Sequence, residues 1–396
     1  MSLTEDQKQI LKSTAAIFKE NGKEITSILY KHLFAHHPDL LNIFNRTNQK
    51  NGTQPFALAN TVFLAIENID NLEVLMPQIL LIAHKHRAST VRPEHYPIVG
   101  KYLLIAIDEF LGGMTDSDIR NAWSAAYKMI SSIFIDIEKK LYAELGDKHQ
   151  QGFIPFKIIE KEIIARGPIA AITLERNDGG KLQKYHSGQY ITLQIKKDGI
   201  LHIRHYSLMQ PYDGKTYRIA IKQVNDHEPK GIVSTEIINK YNVGDIITLS
   251  LPAGTFKLID NGKRYLFIAV GVSITVLLAM ICDLHQQGKA DLATLIHCVT
   301  NEDQAIFADD MRRILSENQY YVLLQGKRQL HDLIKKLITS ETNVYLCGSV
   351  QFVNKVEEYL LKCNHPSSQI HIETYQPALS LVKGAVKNSA TTTKPI

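Results

Sequence analysis

The feature that most constrains this chain is that its hydrophobic period changes twice. From Thr4 to about Gly146 apolar residues recur at three and four, as in Ile10-Leu11, Ala15, Phe18 and then Ile25, Ile28-Leu29, Leu33. That spacing lines one face of a helix, so this third reads as all helix. Thr4 followed by Gln7 is a capping box at its start, and Pro38, Pro55 and Pro93 sit where segments begin or bend. The polar stretch from Gly146 to Gly152 breaks the pattern and reads as a linker. Beyond it the period is two, with β-rich runs at 157–165, 170–175, 190–195, 203–208, 217–224 and 245–251. Turns such as Asn177-Asp-Gly-Gly180 separate them, which predicts an antiparallel barrel or sandwich. From about Arg264, strands at 265–270, 293–299, 320–324, 344–347 and 370–374 alternate with helices that run to Gln287, Glu317 and Lys362. This is the pattern of a parallel α/β sheet. The expected domains are 1–146, 153–260 and 261–380, with a small, polar, disordered tail at 381–396.

A chain of 396 residues that is 44% hydrophobic and 21% charged has the make-up of a soluble globular protein. Its net charge of +5 comes from interspersed lysines and glutamates, without the basic stripe that tracks a phosphate backbone, so no nucleic-acid partner is expected. Cys282, Cys298, Cys347 and Cys363 show no CxxC spacing and read as reduced thiols. The polar, acidic start lacks the basic and apolar regions of a secretory signal, which predicts a cytoplasmic protein. Residues 266–282 carry no charge but fall short of the ~20 needed to span a bilayer, and Gly271, Ser273 and Thr275 interrupt them. A buried strand turning into a buried helix is expected there, and no transmembrane segment.

Sixteen histidines make a lone one uninformative. His84 and His86, two apart on a helix, point to nearly opposite sides, so only one can face a given pocket. Taken singly, Tyr30 and Phe44 read as core aromatics, His86 as a surface histidine and Glu138 as a solvated helix charge. Their register says more. Tyr30, Pro38, Phe44, the run Asn45-Arg-Thr-Asn-Gln-Lys-Asn-Gly-Thr-Gln54, Leu58, Ala83-His-Lys-His86 and Pro93-Glu-His-Tyr-Pro-Ile-Val-Gly100 closely resemble the globin domain of flavohaemoglobins. The resemblance implies haem b, with His86 as the iron's proximal ligand and Phe44 packing on the haem. It implies that Tyr30 donates to bound oxygen, that Gln54 and Leu58 complete the distal side, and that Tyr96 and Glu138 orient the imidazole. An anionic Glu138 bonded to the imidazole N–H would push electron density toward iron.

In the middle third, Arg204-His-Tyr206-Ser207 lies on a predicted strand, so Arg204 and Tyr206 face one way and Ser207 the other. Arginine suits a pyrophosphate and tyrosine a planar ring. Alone this is an ordinary strand face. It follows Ser187-Gly-Gln-Tyr190 and precedes Tyr217-Arg-Ile-Ala-Ile-Lys222, Gly231-Ile-Val-Ser234, Val243-Gly-Asp245 and Leu251-Pro-Ala-Gly254. That order resembles the FAD domain of the ferredoxin reductase superfamily, and of flavohaemoglobins in particular. By that likeness Tyr190 and Tyr206 hold the flavin ring, Arg204 the phosphates and Ser207 the flavin edge. Gly231, Val233 and Ser234 present N–H groups at a helix start to the phosphates. Ile372-Glu-Thr-Tyr375 matches the segment whose aromatic residue, Tyr375, covers the flavin, with Glu373 alongside. Ser187 stands where the family usually has proline.

A dinucleotide pocket places a glycine turn between its first strand and helix. Gly271-Val-Ser273-Ile-Thr275-Val276 occupies that place, where the family pattern is Gly-Val-Gly-Gln-Thr-Pro. The later Cys-Gly-Pro appears as Cys347-Gly348-Ser349. The resemblance therefore implies an NAD(P)H site lined by Gly271, Ser273, Thr275, Cys347 and Gly348, with its two defining motifs altered. The implied activity is that of a monomeric nitric oxide dioxygenase taking O2 and NO. Electrons pass from NAD(P)H through FAD to haem, and NO is oxidised to nitrate. The alternative is a haem and FAD protein with an impaired nicotinamide site that binds or senses a gas, or a lipid ligand in the haem pocket.

Overall fold

The computed structural model describes residues 3–44, 53–113, 116–145, 152–164, 169–223, 231–324 and 329–375, with the side chains of 53 and 54 excepted. The predicted linker up to residue 151, the tail and the 45–52 part of the globin-like motif lie outside these residues. Contacts group the chain into two compact units, one built mainly on Met1–Gly152 and the other on Phe153–Gln194 with Arg204–Gln376.

The first unit is helical: α1 (Glu5–His36), α2 (Thr53–Glu67), α3 (Met76–Ala88), α4 (His95–Phe110) and α5 (Ser117–Ala143). The predicted capping box opens α1: Gln7 N donates to Thr4 Oγ1 at 3.2 Å and Thr4 N to Gln7 Oε1 at 3.0 Å. Two end groups that the helix leaves unbonded are thus satisfied. Along α1 the buried stripe runs Leu11, Ala15, Phe18, Ile25, Leu29 and Leu33, the predicted face. Trp123 of α5 closes the core by stacking on Phe18 at 4.6 Å and donating to Thr14 Oγ1 at 3.1 Å.

Beyond residue 152 the described chain forms two sheets. Strands β1 (Ile154–Ile164), β2 (Ile169–Arg176), β3 (Tyr190–Lys197), β4 (Ile200–Ser207), β5 (Thr216–Lys222) and β6 (Ile246–Leu249) form a six-stranded sheet in the order β4-β3-β6-β1-β2-β5. Its pairs β1–β2, β1–β6, β2–β5 and β3–β6 are antiparallel. Helix α6 (Ile232–Lys240) lies between β5 and β6 in sequence. The other sheet is parallel, in the order β11-β10-β7-β8-β9, from β7 (Tyr265–Val270), β8 (Ala293–Val299), β9 (Tyr320–Leu324), β10 (Asn343–Gly348) and β11 (Ile370–Thr374).

Helix α7 (Ile274–Gln286) follows β7, and every residue from Ile274 to Ile281 is buried. The charge-free stretch 266–282 is thus a buried strand turning into a buried helix, and among the described residues no helix is long and apolar enough to cross a membrane.

Two elements depart from the sequence expectation. The helix expected to reach Glu317 is only α8 (Ala308–Ile314). Leu315 turns extended (φ −106°, ψ 140°) and buries its side chain, so packing overrides helix propensity. Helix α9 (Gln329–Leu337), which the expected pattern omits, is amphipathic, with Leu330, Leu333, Ile334 and Leu337 packed on the core. Helix α10 (Val350–Lys362) ends where expected.

Candidate functional site

Three helices bring one side chain each to a single oxygen. His86 of α3 places Nδ1 at 2.8 Å from Glu138 Oε1, and the Tyr96 hydroxyl of α4 donates to that same oxygen at 2.6 Å. The hydroxyl also lies 3.0 Å from His86 Nδ1. Glu138 is 2% exposed, and its Oε2 is buried with no hydrogen-bond partner among the described residues. Burial, and then the neighbouring Glu138 carboxylate, push the Tyr96 phenol far above its ordinary range, so it stays a donor. A bond from Nδ1 to a carboxylate requires the proton on Nδ1, which leaves the Nε2 lone pair of a neutral imidazole for a ligand. No described residue bonds Nε2, and the His86 side chain is 35% exposed. The donor set fits a haem iron on Nε2. His84, on the same helix, is buried and has no part in this set.

Tyr30 of α1 is buried, with Phe34 stacked on it and the Phe44 edge against it, each 5.6 Å between ring centres. Leu58 of α2 is half-buried against the same core. Gln54 lies in the first turn of that helix, and its side chain lies outside the described residues.

In the second unit, Tyr190 is buried at the start of β3 and bridges to Ala253, donating N–H at 2.9 Å and accepting at 2.8 Å. On β4, burial holds the Arg204 guanidinium below its ordinary range against the opposing Tyr206, and raises the Tyr206 phenol. Helix α6 starts at Gly231 with no side-chain cap; Val233 and Ser234 are buried, and Ser234 Oγ donates to Gly231 O at 3.2 Å. A helix start that opens on a glycine, with no capping side chain of its own, fits an anionic phosphate.

The altered glycine turn is well formed. Gly271 adopts φ +54°, the left-handed region that favours glycine, and the turn continues into α7 through Ser273 at φ −64°, where any residue fits. Ser273 is buried, and Ile274 and Val276 are fully so. The Thr275 hydroxyl donates to Val272 O at 3.1 Å.

Ser273 and Tyr375 lie beside the Cys347 thiol, and the Tyr375 hydroxyl lies near Thr275 and Ser207. Burial, with Glu373 adding to it, drives that thiol well above its ordinary range, so it is inert. Glu373 pairs in register with Cys347 across β10 and β11. A Cβ on Gly348 would lie 2.6 Å from Val270 Cγ1. Ser349 caps α10, accepting from Phe352 N at 3.3 Å.

Sequence reasoning missed His297. It is fully buried on β8, with Nε2 2.9 Å from the Gly271 carbonyl, and burial lowers it to about 4. Its sequence signal is a lone ionisable ring in the otherwise uncharged run 293–299.

Residues 27–134 match the Globin family and residues 155–258 match the oxidoreductase FAD-binding domain. A curated flavohemoprotein from Halalkalibacterium halodurans is 37% identical, over 96% of this chain and 98% of that protein. Another, from Bacillus subtilis, is 33% identical over 95% and 98%. The crystal structure of a flavohemoglobin from Malassezia yamatoensis with bound FAD and heme has the same fold, with a TM-score of 0.84 and 23% identity over 95% of this chain and 100% of that one. The flavohem-like FAD/NAD binding domain of nitric oxide dioxygenase from Vibrio cholerae matches with a TM-score of 0.52 and 27% identity, over 56% of this chain and 98% of that one. A helical unit that sets a histidine on a buried carboxylate is joined in one sequence to an FAD-type antiparallel sheet and a parallel sheet, and relatives of nearly equal length share that order: this chain belongs to the flavohemoprotein family.

Proposed function

We propose that this oxidoreductase is a nitric oxide dioxygenase that uses haem b, FAD and NAD(P)H. The cofactors supply hydride acceptance, single-electron transfer and gas activation. In balance, one NO, one O2 and one electron give one nitrate, and each NAD(P)H supplies two electrons. The carrying observation is the His86–Glu138–Tyr96 set. A buried carboxylate on the imidazole N–H strengthens the ring as an electron donor, which suits oxygen chemistry better than reversible storage. Tyr30 is the hydrogen-bond donor on the other side, with Gln54, Leu58 and Phe44 shaping the pocket. Tyr190, Arg204, Tyr206, Ser207 and the start of α6 hold FAD, with Glu373 and Tyr375 at its edge. Gly271, Ser273, Thr275, Cys347 and Gly348 line the nicotinamide end. The related Vibrio cholerae domain carries the name of this activity.

The test is consumption of NO by the holoprotein in air with NADH or NADPH, with nitrate measured as product. Stoichiometric nitrate supports the proposal; an absence of NO consumption by protein loaded with haem and FAD overturns it. The buried Ile274 and Val276, where the family carries glutamine and proline, favour a second reading, a gas or lipid-ligand binder with a weak nicotinamide site. Anaerobic mixing with NADH separates the two: flavin and then haem bands bleach in a dioxygenase and persist in a binder.

A further inference from the structure

Helix α6 spans nine residues, about 14 Å at 1.5 Å per residue, and its N-cap is Gly231, which has no side chain to cap it. Its other end is held from outside. The ammonium of Lys161, on β1 opposite Ile172, donates to Tyr241 O at 2.6 Å, Ile238 O at 2.7 Å and Ile237 O at 3.2 Å. An ammonium has three N–H donors, and here each has a carbonyl. These are the carbonyls a helix leaves unbonded, where its negative partial charge collects. Tyr241 leaves the helix in extended backbone (φ −86°, ψ 136°), so no glycine turn does this capping.

We propose that Lys161 is a positioning residue for the phosphates of FAD: by tying the C-terminal end of α6 to the sheet it fixes the N–H groups of Gly231, Ile232 and Val233 at the other end. It also removes negative potential from the helix axis that points at those phosphates. The proposal rests on the reading above that FAD phosphates lie at the start of α6.

The experiment titrates the full-length, haem-loaded, flavin-free protein with FAD and with riboflavin, which has the same ring and no phosphate. Lys161→Met weakens FAD by about three- to tenfold, leaves riboflavin affinity within about twofold, and keeps the haem spectrum. Lys161→Arg recovers most of the loss. If Lys161→Met yields no folded protein, Lys161→Gln, which loses the charge and keeps two donors, takes its place.

Unchanged FAD affinity overturns the proposal, as does equal weakening of FAD and riboflavin, the mark of a merely structural role. Ser234→Asp tests the underlying reading, because a carboxylate in the first turn repels phosphate; Ser234 is buried and donates to Gly231 O, so the variant counts only where riboflavin affinity and the haem spectrum are kept. If Ser234→Asp leaves FAD affinity intact, the phosphate reading and this proposal fall together. If it weakens FAD while Lys161→Met does not, only the role of Lys161 falls.

Discussion

His86 and Glu138, which lie on different helices, meet through a 2.8 Å bond from imidazole Nδ1 to a carboxylate oxygen that is buried and also accepts the Tyr96 hydroxyl. One oxygen thus sets both the tautomer and the orientation of the ring. Glu138→Gln keeps a hydrogen-bond acceptor and removes the charge. It should retain haem, lower the iron–histidine stretching frequency of the ferrous protein, and cut NO turnover by about 10- to 100-fold, the usual effect of losing a partner behind a metal ligand. Resonance Raman spectra and an NO electrode check both; unchanged values would remove Glu138 from the mechanism.

His86→Ala should abolish stoichiometric haem binding or the native visible spectrum, while His84→Ala should leave that spectrum in place. The reverse pattern would put the iron on the other imidazole.

Tyr30 is proposed to donate to a partly anionic ligand, a bond worth about 1.5–3 kcal/mol. Tyr30→Phe should therefore speed oxygen release by about tenfold or more. Stopped-flow dissociation measures this, and an unchanged rate would assign the bond to another donor such as Gln54.

Restoring the family residues, Ser273→Gly with Ile274→Gln, should lower the NADH concentration for half-maximal flavin reduction. The restoration should also destabilise the fold, because Ile274 is fully buried and an amide there costs roughly 2–4 kcal/mol. Stopped-flow flavin reduction and thermal melts read the two effects separately. Half-saturation at micromolar NADH in the unaltered protein would show that the turn already works with serine and isoleucine.

Acid should weaken the second unit. Burial lowers His297 to about 4 and also lowers His365 and His371, whose Nε2 atoms are buried with no hydrogen-bond partner among the described residues. These rings stay neutral in the fold and titrate near 6.5 when unfolded, so the unfolded state takes up protons first as pH falls. Stability is full above about pH 6.5 and is lost progressively toward pH 4, by about 3 kcal/mol for His297 alone. Melting temperature against pH should fall over that window and flatten in His297→Gln; a flat profile in the unaltered protein would contradict this.

Much of the fold was legible because periodicity is a local property. Strands 265–270 and 293–299 end where the apolar runs end, since a central parallel strand is buried on both faces and announces itself. Boundaries failed where a distant contact decided them. Leu315 leaves its helix to enter the core, a choice that no window of neighbouring residues encodes.

The sequence by itself determined three kinds of segment and their order, and the residue types available for a haem, a flavin and a dinucleotide. Only tertiary structure decided which of them act together. His86 finds Glu138 52 residues away, Ser273 turns its side chain into the core beside Cys347, and His297 reaches across the sheet to Gly271. The reason is physical: side-chain period is set within a few residues, whereas a hydrogen bond between buried polar groups forms only after separate elements have packed, and the pairing that leaves the fewest such groups unsatisfied is then the one that persists.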